Sequence, residues 1–297
     1  MNEITGKNVM VTGGAGFIGS HLVDRLIQEK PNKIVVIDNL FLGQLENLEK
    51  AKKNFGNLTI LIRDASIFSV VEEIIAKEEV QTVFDLATVP LPTSYVQPRW
   101  TYENNIRIVL NFCELLRQDK FDFYVHCSSS EAYGTAQFVP MTEDHPLNPT
   151  TTYGASKASQ DLLIQAFDRM YDFNFFIFRP FNNFGERQND QAYARARASD
   201  SNLFSNVTNK YSIQFCKKHG IPIDWKALSE QKGRDLFHIA RHQLLSGNKE
   251  EAMKNFKRSF RLVPILGKFK SLGGMAASII GLDLERMARS LGRPTER

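Results

Sequence analysis

Val9-Met10-Val11-Thr12-Gly13-Gly14-Ala15-Gly16-Phe17-Ile18-Gly19 is the stretch that decides the fold. A short β-branched apolar run leads into Gly14, Gly16 and Gly19 at G-x-G-x-x-G spacing, and residues 21–28 continue with helical periodicity. In a strand–turn–helix of this kind the first glycine permits a tight turn. The second lets a pyrophosphate approach the backbone, and the third lets the helix pack closely on the strand. The phosphates then sit on a helix N-terminus, where free N–H groups and the helix dipole favour anions. Asp38 ends the next apolar run, about 20 residues past the glycines. An acid there accepts hydrogen bonds from adenosine ribose hydroxyls and repels a 2′-phosphate, so NAD is expected over NADP.

Outward from that turn, residues 9–11, 34–37, 58–62, 82–86, 121–126 and 173–178 read as strands buried on both faces. Between them, residues 21–28, 66–77, 99–118 and 153–171 carry apolar residues at three- and four-residue spacing. This alternation predicts an α/β fold, a doubly wound parallel sheet of Rossmann type, over residues 1–190. After about residue 188 the pattern changes: residues 191–209 are polar and aperiodic, and read as loop, irregular helix or linker. Residues 234–246, a Gly247-Asn248 break, then residues 249–262 before Pro264 read as a helical hairpin. The expected second part, residues 191–297, is a smaller, mainly helical appendage. It holds 20 of the 37 basic and 9 of the 33 acidic residues, about +11, against about −7 for residues 1–190.

With 297 residues and 42% apolar content, the chain can bury a sizeable core. Cys113, Cys127 and Cys216 are far apart and match no metal-ligand spacing, which suggests reduced thiols in a cytoplasmic protein. No basic, apolar, small-residue leader opens the chain, so no signal peptide is expected. Residues 262–284 are interrupted by Lys268, Lys270 and Asp283, so no membrane span is expected there. His238 and His242 lie four apart without a third ligand, which reads as a surface pair and not a metal site. No nucleic-acid motif accompanies the basic tail, which reads as a solvated face.

Tyr153-Gly154-Ala155-Ser156-Lys157 sets Tyr153 and Lys157 on one face of a predicted helix. A phenol acts as a base near neutral pH only where a cation stabilises the phenolate, and Lys157 together with an oxidised nicotinamide would supply that. In isolation such a pair reads first as a chance feature of an amphipathic surface helix.

Five blocks in order carry a resemblance: Thr12 through Gly19, Leu86-Ala87-Thr88, Ser128-Ser129-Ser130-Glu131-Ala132-Tyr133-Gly134, Tyr153 through Lys157, and Arg179-Pro180-Phe181-Asn182-Asn183-Phe184-Gly185. Over residues 5–188 the chain resembles the extended short-chain dehydrogenase/reductases, specifically the nucleotide-sugar epimerases, 4,6-dehydratases and decarboxylases. The resemblance implies a triad of Ser129, Tyr153 and Lys157, in which Tyr153 removes a sugar hydroxyl proton as hydride passes to NAD and Ser129 hydrogen-bonds the same oxygen. It puts the cofactor against Gly13, Gly16, Phe17, Ile18, Gly19, Asp38, Asn39, Asp64, Leu86, Ala87 and Asn105 as well as Tyr153 and Lys157, and the substrate against Ser130 and Asn182. Glu131 has two readings: the additional base that a dehydratase or decarboxylase requires, or a residue that shapes its loop. The resemblance further implies a nucleoside-diphosphate sugar as substrate and a homodimer through residues 99–118 and 153–171, a four-helix interface.

Past residue 188 the usual substrate lid is not recognisable. Residues 234–264 resemble a tetratricopeptide-type helix pair, and the tail is similar to the helical tails of some family-2 glycosyltransferases; a divergent cap is the alternative. An epimerase is the expected function. The alternatives are a dehydratase or decarboxylase using Glu131, and a non-catalytic NAD-binding or scaffold protein without the lid.

Overall fold

The computed structural model describes residues 4–95, 97–188, 225–245 and 248–263. The chain divides into two units, Met1–Tyr193 and Ala194–Arg297. The linker expected at residues 191–209, Cys216, Gly247 and the apolar stretch from residue 264 onward lie outside the described residues, as do the side chains of His238 and His242.

Six strands build the first unit: β1 (Asn8–Thr12), β2 (Lys33–Asp38), β3 (Leu58–Ile62), β4 (Thr82–Asp85), β5 (Phe123–Cys127) and β6 (Phe175–Phe178). They form one sheet in the order β3-β2-β1-β4-β5-β6, with every neighbouring pair parallel. The helices are α1 (Phe17–Gln28), α2 (Glu49–Asn54), α3 (Phe68–Lys77), α4 (Leu91–Ser94), α5 (Pro98–Arg117) and α6 (Thr152–Tyr171). A strand sends successive side chains to opposite faces, and the two cores follow that rule. Val9, Val11, Ile34 and Val36 pack with Val23 and Leu26 of α1, whereas Met10, Val35, Ile37 and Val83 pack with Phe112 of α5 and Ile164 of α6. Full burial of a side chain such as Phe112 contributes about 1.5–3 kcal/mol over leaving it exposed.

The expected doubly wound sheet is therefore present, with the direction of winding reversing between β1 and β4. At such a switch point the crossovers leave in opposite directions, and a crevice opens beyond the strands' carboxyl ends. Thr12 and Asp85, which end these two strands, are paired in register.

The element bounds differ from the sequence expectation in instructive places. Helix α1 starts at Phe17 rather than residue 21, because Gly19, a poor helix former, is retained inside its first turn for close packing. Helices α2 and α4, of six and four residues, are too short to show a period.

In the second unit, α7 (Trp225–Leu245) and α8 (Lys249–Leu262) form an antiparallel pair. Phe237 meets Phe256 edge-on with centroids 5.6 Å apart, and Asn255 donates to Gln243 over 3.0 Å. Helix α7 begins nine residues earlier than expected and runs through Gly233, where a Cβ would come within 2.6 Å of Val263. Asn248 caps α8 by accepting from the Glu251 amide, and Glu250 and Glu251 in its first turn oppose the helix dipole.

Candidate functional site

At the end of β1 the chain turns on Gly13, which holds φ at +64°, the left-handed region that costs glycine little. A Cβ there would also lie 2.9 Å from the Leu86 carbonyl oxygen beyond β4. A Cβ on Gly14 would press on Val36, and one on Gly19 would collide with the Gly13 carbonyl. Side chains at these glycines would thus fill the cradle between β1, β4 and α1. Gly16 caps α1 without a side-chain bond, and no acid occupies the first turn. The opening amides of α1 are therefore not neutralised by the helix's own side chains, a setting suited to a pyrophosphate. The residues present fit a dinucleotide.

Asp38 lies at the end of β2, 8% exposed, and both carboxylate oxygens are engaged: one accepts from the Ala15 amide at 3.0 Å, the other from Leu40 at 2.8 Å. Burial raises its pKa, and these backbone bonds only partly offset that. The acid expected to meet a ribose thus also fastens the glycine turn to β2. Asn39 and Asp64 hydrogen-bond each other at 3.4 Å, and Asp64 also accepts from Ser66. The amides of Leu86 and Ala87 donate to Thr12 Oγ1, both at 3.1 Å. Asn105 is buried and joins three partners, bonding both backbone groups of Val89 and the Ser156 hydroxyl of α6. Phe17 packs edge-on against His21, and Ile18 is exposed.

Ser129, Tyr153 and the turn at Ser130–Ala132 come together through one close approach. Gly154, in the first turn of α6, would place a Cβ 2.5 Å from the Glu131 carbonyl, so only glycine lets α6 dock on the turn at Ser130–Ala132. Thr151 caps α6 by accepting from Gly154. This docking puts Tyr153 against Ser129, which caps the facing turn. Burial pushes the Tyr153 phenol well above its ordinary pKa; the hydrogen bond with Ser129 acts the other way, and the charge of Glu131 adds to the rise. Lys157, 2% exposed, donates to the Cys127 carbonyl at 2.9 Å, and burial lowers its pKa. Ser130 sits in the same turn, its amide bonded to the Pro180 carbonyl. Asn182 is exposed on the segment after β6, two residues past Pro180. That segment is fastened to α1 at its far end, where Arg187 pairs with Asp24 at 2.7 Å and Glu186 bonds His21.

Beneath Lys157 is a polar cluster that sequence reasoning did not single out. Asp85 accepts from Thr12 at 2.6 Å and from Tyr124 at 2.8 Å, and His126 Nδ1 is 3.4 Å from it. Asp161 of α6 pairs with Arg179 at 2.6 Å, and Arg179 also donates to the Tyr133 hydroxyl. The available signal was a charged or polar residue in otherwise apolar strands: Asp85 ends β4, and His126 lies within β5. Among the described residues no group of three His, Cys, Asp or Glu could hold a metal ion.

A family model, the NAD dependent epimerase/dehydratase family, matches residues 9–213. The chain belongs to that family. The match runs past residue 188, where the recognisable motif blocks end. A Methanocaldococcus jannaschii protein provisionally named UDP-glucose 4-epimerase is 29% identical over 289 residues, covering 89% of this chain and 92% of that one. Among solved structures, a UDP-N-acetylglucosamine 4-epimerase from Methanobrevibacter ruminantium, in complex with UDP-N-acetylmuramic acid, is 36% identical with a TM-score of 0.57. The similarity covers 63% of this chain and 58% of that one. The dTDP-glucose 4,6-dehydratase DesIV of Streptomyces venezuelae, with NAD bound, is 28% identical with a TM-score of 0.58, over 61% of this chain and 58% of that one. The chain thus spans less than two thirds of either solved relative. Family members of both kinds, epimerase and dehydratase, are NAD-dependent enzymes of nucleotide sugars.

Proposed function

We propose that this family member is an NAD-dependent nucleotide-sugar 4-epimerase. The observation that carries the reading is the docking of Gly154 on the Glu131 carbonyl, which brings the Tyr153 phenol and Ser129 together beside the crevice at the switch point. Bound NAD would supply the acceptor, and then the donor, of the hydride at the sugar carbon. Tyr153 takes the proton of the sugar C4 hydroxyl, and Ser129 hydrogen-bonds the same oxygen. Lys157 contributes positive charge that favours the phenolate. The glycine turn and α1 hold the pyrophosphate of the cofactor, and Asp38 accepts from its ribose. Ser130 and Asn182 contact the nucleoside-diphosphate sugar. Similarity to the Methanocaldococcus protein over 89% of this chain supports an enzyme over a scaffold that retains only the cofactor fold.

One observation favours a second reading: the turn that carries Glu131 docks on Gly154, next to Tyr153, so Glu131 stands on the segment facing the same reacting centre. A dehydratase or decarboxylase would use it as the additional base. Product analysis by NMR after incubation with UDP-glucose, dTDP-glucose and UDP-glucuronate separates the two. An inverted C4 centre in both wild type and Glu131→Gln supports the epimerase. A 4-keto product from wild type that Glu131→Gln no longer releases replaces it with the second reading.

A further inference from the structure

Lys157 and Asp85 are each almost fully buried, yet Lys157 has no carboxylate in direct contact and Asp85 has, of the ionisable groups, the His126 imidazole at 3.4 Å. The ammonium of Lys157 donates to a neutral carbonyl, that of Cys127, at 2.9 Å. Asp85, 1% exposed at the end of β4, accepts from two neutral hydroxyls, Thr12 at 2.6 Å and Tyr124 at 2.8 Å. The other buried carboxylate, Asp161, is committed to the Arg179 guanidinium at 2.6 Å. An isolated buried charge costs several kcal/mol, on the order of its desolvation, unless an opposite charge lies close. Counting the cluster through, Arg179 balances Asp161, which leaves one cation and one anion.

We propose that Asp85 is the counter-charge of Lys157, a positioning residue that keeps the buried lysine an ammonium and ties its charge to the glycine turn through Thr12. The groups facing Lys157 are Cys127 and His126 of β5, Asp85 of β4, and Asp161 and Tyr153 of α6 one turn to either side; Arg179 reaches it through Asp161. Those facing Asp85 are Thr12, Tyr124, His126 and, from α5, Cys113. His126 is the rival for the proton, standing 3.4 Å from Asp85 and 3.9 Å from Asp161. Neither ring nitrogen of His126 makes a hydrogen bond, so a buried imidazolium would leave its N–H donors unsatisfied, whereas the Lys157 ammonium donates to Cys127; this geometry favours the proton on the lysine. Against its burial, Asp85 is held below the usual carboxylate range first by the His126 contact, then by the Thr12 hydroxyl and the Lys157 charge.

The pairing does not depend on the proposed reaction; its effect on rate does. The test labels lysine with 13C at Cε and 15N at Nζ in the full chain, assigns Lys157 by its loss in Lys157→Arg, and follows the NMR titration. Lys157 is expected to be an ammonium at pH 7 in wild type with His126 neutral, and Asp85→Asn is expected to lower its midpoint by one unit or more, a tenfold weaker hold on the proton. Tyr124→Phe, which removes a hydroxyl but no charge, leaves the midpoint within a few tenths. An unmoved midpoint in Asp85→Asn overturns the proposal. So does a wild type in which His126 is protonated and Lys157 neutral at pH 7, and that measurement needs no variant to fold. In sugar-dependent reduction of bound NAD, Asp85→Asn shifts the alkaline limb of the pH profile downward with the lysine midpoint, whereas a merely structural role lowers the rate equally at every pH. Wild type without turnover but with the expected titrations would count against the proposed epimerase and leave the charge pairing standing.

Discussion

Tyr153 and Gly19 show how much rests on single side chains. In the free protein burial holds the Tyr153 phenol above its ordinary pKa, so base chemistry near neutral pH requires added positive charge close by. Tyr153→Phe keeps the ring and removes the proton carrier. Sugar-dependent hydride transfer, followed by stopped-flow absorbance, should fall by about a hundred- to ten-thousand-fold with NAD still retained. Gly19→Ala acts differently, because the new methyl meets the rigid Gly13 carbonyl and not a flexible side chain. The expected loss is about 1–3 kcal/mol of stability in chemical denaturation, accompanied by loss of bound NAD in native mass spectrometry. Retained NAD in Gly19→Ala would contradict the packing role given to that glycine. Both positions were legible in the sequence, since a turn glycine and a Tyr-x-x-x-Lys pair act through local spacing. Asp85 and His126 were not, because they meet only where β4 pairs with β5.

At the scale of elements, β4, β5 and α6 enclose a polar layer inside an apolar sheet. His126 is held below its ordinary pKa by burial, which outweighs the pull of Asp85 and Asp161. The unfolded chain takes up that proton near about pH 6.5 while the folded chain does not. The associated stability is therefore present above that pH and lost as pH falls below it, with a slope of up to about 1.4 kcal/mol per pH unit. His126→Gln should flatten this slope in urea titrations run between about pH 5 and pH 7, and an unchanged slope would assign the acid sensitivity elsewhere. The strands themselves followed from their β-branched runs to within two residues at most ends. The start of α1 and the short α2 and α4 did not, since a glycine kept for packing and helices of one or two turns leave no period to read.

For the whole molecule, α5 and α6 leave Leu110 and Leu162 exposed on adjacent helices, 43% and 54% accessible, which supports the proposed four-helix homodimer. Leu162→Glu should convert a dimer to monomer in sedimentation velocity while leaving NAD bound; a wild type that sediments as a monomer removes the interface. The helical tail was legible as a hairpin from its Gly-Asn break, whereas its relation to the family was not, because the familiar motif blocks end at residue 188 and the family match continues to residue 213. The reading stands or falls on whether Ser129, Tyr153 and Lys157, beside the switch point of the first unit, form a working oxidoreductive site. It is tested most directly by mixing the NAD-loaded full chain with a panel of nucleoside-diphosphate sugars and following reduction of the bound nicotinamide by absorbance. Transient reduction by at least one sugar, and none in Tyr153→Phe, is expected; bound NAD that no sugar reduces would contradict an oxidoreductive site.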